Sequence, residues 1–162
     1  MYYCNNSIIS ENTGYNNENG IALFGSDNCL ISRNNFHHNI EYGLNLGGYN
    51  NTVFKNTANY NIGGIRVSGT ECNVSENTIR YNYGSGLYVS SSYTYISGNI
   101  ASNNGFNGIS LSSSASYNTI SENTANNNWV GIRLDHSFMG VSSHIISEND
   151  ANDNNICGIY CM

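Results

Sequence analysis

The stretch IRLDHS (132–137) puts a cation, a carboxylate and an imidazole close together as Arg133, Asp135 and His136. A guanidinium grips a carboxylate through its planar fork, and a carboxylate or imidazole within reach can move a proton. The trio could therefore bind or deprotonate a uronic acid. The competing reading is an ordinary polar strand end. Arg66 occupies the same repeat position as Arg133 but three repeats earlier, roughly 14 Å away at the usual strand spacing, too far for one small site. A row of alternating residues, Ala22, Asn45, Arg66, Tyr88, Ser110, Arg133 and Tyr160, would face outward with these arginines. Its tyrosines and neutral polar groups suit stacking and hydrogen bonding to sugars, protein contact, or plain solvent. Arg66, Tyr88, Arg133, Asp135, His136 and Tyr160 are the candidate ligand contacts. No position carries a catalytic motif. The four aspartates, Asp27, Asp135, Asp150 and Asp153, are scattered, whereas calcium binding or acid/base work on glycans needs carboxylates grouped. His37 and His38 share one turn without converging Cys or Met ligands, so neither a metal site nor a cofactor is assigned.

What must position these residues is a repeat. An asparagine recurs at Asn12, Asn34, Asn56, Asn77, Asn99, Asn123 and Asn149, with spacings of 22, 22, 21, 22, 24 and 26. Five residues after each stands another: Asn17, Asn39, Asn61, Asn82, Asn104, Asn128 and Asn154. A β-branched residue precedes the first asparagine by three. A glycine follows the second by three or four, and an apolar-x-apolar strand follows the glycine. Each unit thus holds three short period-2 strands separated by turns. About 22 residues is too short for a βαβ unit, and neither a leucine-rich nor a hexapeptide pattern is present. The reading is all-β: a right-handed single-stranded parallel β-helix of about seven coils, one solenoid domain over residues 1–162. Coils stack about 4.8 Å apart, so equivalent asparagines lie above one another. Their side-chain amides can then form ladders at the turns, satisfying buried polar groups coil after coil.

NTISENTANNNWVGIRL (118–134) and TYISGNIASNNGFNGISL (94–111) resemble the repeats of NosD-type and pectate-lyase-like β-helix proteins of prokaryotic, often archaeal, surfaces. The resemblance covers nearly the whole chain. It implies a secreted or cell-envelope protein, in a superfamily that includes carbohydrate-binding modules, pectin-degrading enzymes, uronate epimerases and passive surface arrays. NosD itself is associated with copper delivery. No catalytic residue carries over.

Composition narrows the field. The net charge is −6 with five Lys+Arg, which leaves no basic patch for nucleic acid. No apolar run approaches the roughly 20 residues of a membrane helix, so membrane insertion is not expected. Glu11, Glu76, Glu122 and Glu148 share the position before the first asparagine, where Arg33 and Lys55 also stand, and read as a solvated column of charge pairs. Asn5, Asn50 and Asn73 open glycosylation sequons. Cys29 and Cys72 share a repeat position two coils apart, about 9.6 Å, beyond disulfide reach. Cys4 and Cys161 are read as falling at one repeat position, and neither end shows a capping segment. Solenoids normally cap their ends, which suggests a slice of a longer solenoid or head-to-tail pairing with an intersubunit Cys4–Cys161 disulfide.

With uniform coils and short turns, the leading expectation is a non-enzymatic extracellular or cell-surface structural module, self-associating into filaments. The alternatives are a carbohydrate-binding module and, behind it, a polysaccharide lyase, hydrolase or epimerase. The expected partners are further copies of the chain and, second, polysaccharide. The two longest spacings, around 99–149, mark the one candidate rim.

Overall fold

The computed structural model describes residues 1–135 and 143–162. The chain winds as a parallel β-helix, each coil passing through three sheets of seven, five and seven strands. The first sheet stacks Ile8–Ser10, Leu30–Ser32, Thr52–Phe54, Asn73–Ser75, Tyr95–Ser97, Asn118–Ser121 and His144–Ser147. The second stacks Thr13–Tyr15, Asn35–His37, Thr57–Asn59, Thr78–Arg80 and Ile100–Ser102. Single bridges through Thr124 to Asp150 prolong it. The third stacks Ile21–Leu23, Tyr42–Leu46, Gly63–Val67, Leu87–Val89, Asn107–Leu111, Val130–Leu134 and Cys157–Cys161. With seven strands in two of the sheets, the first and last lie about six turns apart.

Alternation sends every second side chain inward. The core is a stack of nearly identical layers: Ile31, Val53, Val74, Ile96 and Ile120 from the first sheet, Phe36, Ala58, Ile79, Ala101 and Ala125 from the second, and Leu/Ile/Val pairs from the third, all fully buried in the central coils.

The first two corners, before and after the second sheet, hold the asparagines. Asn77 shows the pattern. Its Oδ1 accepts from the backbone N–H of Asn56 at 2.8 Å and the Asn56 Nδ2 at 3.1 Å. Its own Nδ2 donates to Asn99 Oδ1 at 2.9 Å and to the Val53 carbonyl at 2.9 Å. At the first corner this Nδ2–Oδ1 chain runs unbroken from Asn12 to Asn149. At the second it runs from Asn39 to Asn128, with backbone N–H links to Asn17 and Asn154 at its ends.

Each ladder asparagine follows a residue with positive φ, for example Lys55 (56°), Glu76 (54°), Tyr60 (57°) and Tyr81 (57°). The left-handed conformation costs an L residue about 1–2 kcal/mol, and the ladder bonds that close the corner offset it. Glycine after the second asparagine has a different cause: a Cβ on Gly86 would lie 2.7 Å from Asn104 Nδ2 and 2.8 Å from the Gly108 carbonyl oxygen.

The third corner, where one coil passes to the next, is irregular. The ladder position there reads Ser7, Cys29, Asn51, Cys72, Thr94, Asn118 and His144. Asn51 Oδ1 still accepts from Cys29 N–H at 2.8 Å, and Asn118 Oδ1 from Thr94 N–H at 2.7 Å. Cys29 and Cys72 are buried free thiols, and burial pushes the Cys72 thiol up to about 11.

One register differs from the sequence expectation. Tyr2 bridges Phe24, one residue beyond Leu23, which is the equivalent of Cys161 through the third-sheet pairings. Met1, not Cys4, therefore holds the phase of Cys161. Cys4 lies three residues on, its N–H bonded to Ser26 Oγ at 3.0 Å, so the premise of a Cys4–Cys161 junction at one repeat position does not stand.

Candidate functional site

The outward row of the third sheet is continuous. Ala22, Asn45, Arg66, Tyr88, Ser110, Arg133 and Tyr160 are paired coil to coil in register. Both arginines lie over tyrosine rings of neighbouring coils: Arg66 over Tyr42 at 5.9 Å and Arg133 over Tyr160 at 5.8 Å. Arg133 Nε also donates to Asp135 Oδ1 at 2.8 Å. Of the IRLDHS trio, the structure thus joins Arg133 and Asp135, while His136 lies outside the described residues.

Beside this row, the second corner carries residues that the repeat alone does not flag. One or two residues past the ladder asparagines stand Ile40, Ile62, Tyr83, Phe106, Trp129 and Ile156, all exposed. Tyr83 is 84% exposed, unusual for a large aromatic side chain. Trp129 N–H donates to the Phe106 carbonyl at 2.7 Å and Ile156 N–H to the Trp129 carbonyl at 2.9 Å, so these residues rise on consecutive coils. Tyr83, Gly105, Phe106 and Trp129 line a groove of about 450 Å³. Trp129 also lines its continuation of about 220 Å³ with Val130, Arg133, Ile156 and Tyr160. Toward the N-terminus, Tyr42, Ile62, Gly63, Gly84, Ser85 and Tyr88 line a further hollow of about 190 Å³. Aromatic walls with a few polar groups along one edge bind ligands that have flat apolar faces and hydroxyl rims. The sequence signal for this corner is apolar side chains in a turn column where polar ones are expected.

The other candidates fall elsewhere. His37 and His38 meet Nδ1 to Nδ1 at 2.9 Å, sandwiched between Tyr15 and Tyr60, with Tyr81 stacked beyond. Among the described residues no three His, Cys, Asp or Glu side chains gather as a metal site. The glutamate column at the first corner makes exposed ion pairs, Lys55–Glu76 at 3.3 Å and Arg33–Glu11 at 4.0 Å. No described helix is long and apolar enough to cross a membrane.

The family model for right-handed β-helix regions matches residues 1–94 and 63–162, and the chain belongs to that family. No curated protein matches it by sequence. Among solved structures it resembles the periplasmic alginate epimerase AlgG (TM-score 0.82, 18% identity, 99% of this chain and 46% of that one). It also resembles the A-module of the Azotobacter vinelandii mannuronan C-5 epimerase AlgE6 (TM-score 0.73, 15% identity, 98% and 52%). A third is the Dettilon tailspike protein (TM-score 0.66, 18% identity, 91% and 42%). The chain spans about half the length of these structures, and at such identities the likeness shows the fold. NosD-type and archaeal affiliation finds no counterpart among them. The expectation of a non-enzymatic, self-assembling structural module is corrected here. The neighbours include two polysaccharide epimerases and a tailspike, and the coils are not uniform where Tyr83, Phe106 and Trp129 break the surface.

Proposed function

We propose that this β-helix binds a polysaccharide chain lengthwise along the second corner and the outer face of the third sheet, outside the cytoplasm. The observation that carries the reading is the aromatic groove of Tyr83, Phe106 and Trp129, continuous through Trp129 with the Ile156–Tyr160 hollow. Arg66 and Arg133, three strands apart on the row beside it, stand roughly 14 Å apart at the usual strand spacing. That separation, too wide for one small ligand, suits successive residues of a polymer. The epimerase and tailspike names of the structural neighbours support the same ligand class.

A catalytic reading has one observation in its favour, the Arg133–Asp135 pair at the end of the groove. Asp135 there is already bonded to Arg133, and the outer row itself carries no other carboxylate. Binding is therefore the reading the geometry supports best. Calorimetric titration against a panel of acidic and neutral polysaccharides, with product analysis on the same mixtures, tests both. Saturable binding that Trp129→Ala weakens about tenfold or more supports the groove. Absence of binding across the panel refutes it.

A further inference from the structure

Two coils of this solenoid carry an arginine at the same outward position, each over a tyrosine of a neighbouring coil, and only one of the two has a carboxylate beside it. In coil six, Arg133 lies over Tyr160 and its Nε is satisfied by Asp135. In coil three, Arg66 lies over Tyr42, which belongs to the preceding coil and pairs in register with Gly63 rather than with Arg66, and its buried Nε has no partner among the described residues. The residue equivalent to Asp135 in coil three is Ser68. Both follow the last strand residue and donate their N–H to the carbonyl of the preceding coil, Ser68 to Leu46 at 2.8 Å and Asp135 to Leu111 at 3.0 Å. Serine is too short to supply the carboxylate. Next to Arg66 in register, Asn45 Oδ1 is a buried acceptor that also has no donor. Buried polar atoms are nearly always paired, so each unmet one calls for a partner.

We infer that Arg66 and Asn45 form a subsite for the carboxylate of an acidic sugar. The ligand's carboxylate stands where Asp135 stands for Arg133, and a neighbouring hydroxyl donates to Asn45 Oδ1. The hydroxyls of a neutral sugar could meet both atoms but leave the guanidinium charge unpaired, and a simple anion brings no donor for Asn45, so a hydroxy acid matches the pair best. The guanidinium fork gives the carboxylate two parallel bonds, and Tyr42 holds the fork flat. Arg133, already neutralised from within, contacts the chain without selecting its charge. The inference rests on the polysaccharide reading of the groove and narrows it to polyuronates.

The test titrates the intact protein with oligogalacturonate, oligomannuronate and oligoguluronate, each against its methyl ester. At least one free acid should bind tenfold or more tighter than its ester. Arg66→Gln should remove that preference, bringing the affinities for acid and ester within about twofold of each other. Ser68→Asp, which gives Arg66 the internal carboxylate that Arg133 has, should remove it as well. Arg80→Gln, an equal loss of charge on the second sheet, should leave it intact. Equal binding of acid and ester, or an acid preference that survives both Arg66→Gln and Ser68→Asp, overturns the subsite while leaving the groove standing. If no oligosaccharide binds in either form, the subsite and the polysaccharide reading fall together.

Discussion

The interior of the first two corners and the exterior of the second corner lie a few ångströms apart and follow opposite rules. Inside, Asn34, Asn56, Asn77, Asn99 and Asn123 are interchangeable copies, each buried and each making the same bonds to the coils before and after. Outside, one residue past Asn61, Asn82 and Asn128, the side chains are Ile62, Tyr83 and Trp129, and the column differs from coil to coil. Repetition answers a constraint that recurs every 4.8 Å or so, the need to pair a buried backbone amide. A ligand imposes no such period on a single small site, so binding residues show themselves where the column departs from its own pattern. The third corner lies between these extremes. Asn51 and Asn118 perform the backbone ladder bond there and His144 Nδ1 stands in for it, while Cys29, Cys72 and Thr94 interrupt it.

Substitutions can break this contrast from either side. The largest effect should come from Asn77→Ala at the centre of the first ladder. It strands the backbone N–H of Asn56, removes one of the two acceptors of the Asn56 Nδ2, and takes the side-chain donors from the Val53 carbonyl and Asn99 Oδ1. At about 1–3 kcal/mol for each unmet buried group, the loss should reach about 3 kcal/mol or more, read as a fall in Tm and in the denaturant midpoint. Trp129→Ala should do the reverse, lowering glycan affinity about tenfold or more, roughly 1.4 kcal/mol, with little change in Tm because the ring is half exposed.

The third corner sharpens the contrast. Cys72→Asn supplies the missing ladder oxygen to the coil before it and should raise stability by about 1 kcal/mol, the net worth of one buried hydrogen bond. In the wild type, Cys161 is exposed while Cys29 and Cys72 are buried. A thiol reagent at pH 8 should therefore label Cys161 first, and Cys29 and Cys72 only on unfolding.

The smallest effect concerns His144. Burial holds its pKa below the usual histidine value, and its Nδ1 accepts the Asn118 N–H at 3.3 Å. The neutral form is the one the fold binds. Its contribution is present above about pH 6.5, the unfolded value, and is lost as pH falls through the lower folded pKa. The denaturant midpoint should decline modestly in that window, and His144→Asn should remove that part of the decline.

The winding was legible because its constraints recur. Glycine columns, β-branched positions and paired asparagines spell out three sheets without any long-range information. The positive φ before each ladder asparagine was hidden, because glutamate, lysine and tyrosine occupy it as freely as asparagine does. Of the site, the outer row from Asn45 to Tyr160 followed from alternation alone. The aromatic corner did not, since Tyr83, Phe106 and Trp129 sit at unequal offsets from their ladder asparagines and only the folded corner brings them onto one groove. The phase of the N-terminal segment is not legible from Cys4, which shares its residue type with Cys161 while Met1 holds the position in register.

Trp129 is the only tryptophan in the chain, so its fluorescence reports on the groove directly. The decisive measurement is a titration of the wild-type protein with polysaccharides, following that emission. The account predicts a saturable change in intensity or wavelength with at least one polyuronate, displaced by unlabelled oligosaccharide of the same kind. An emission spectrum that stays unchanged at saturating polysaccharide, across acidic and neutral chains alike, would contradict it.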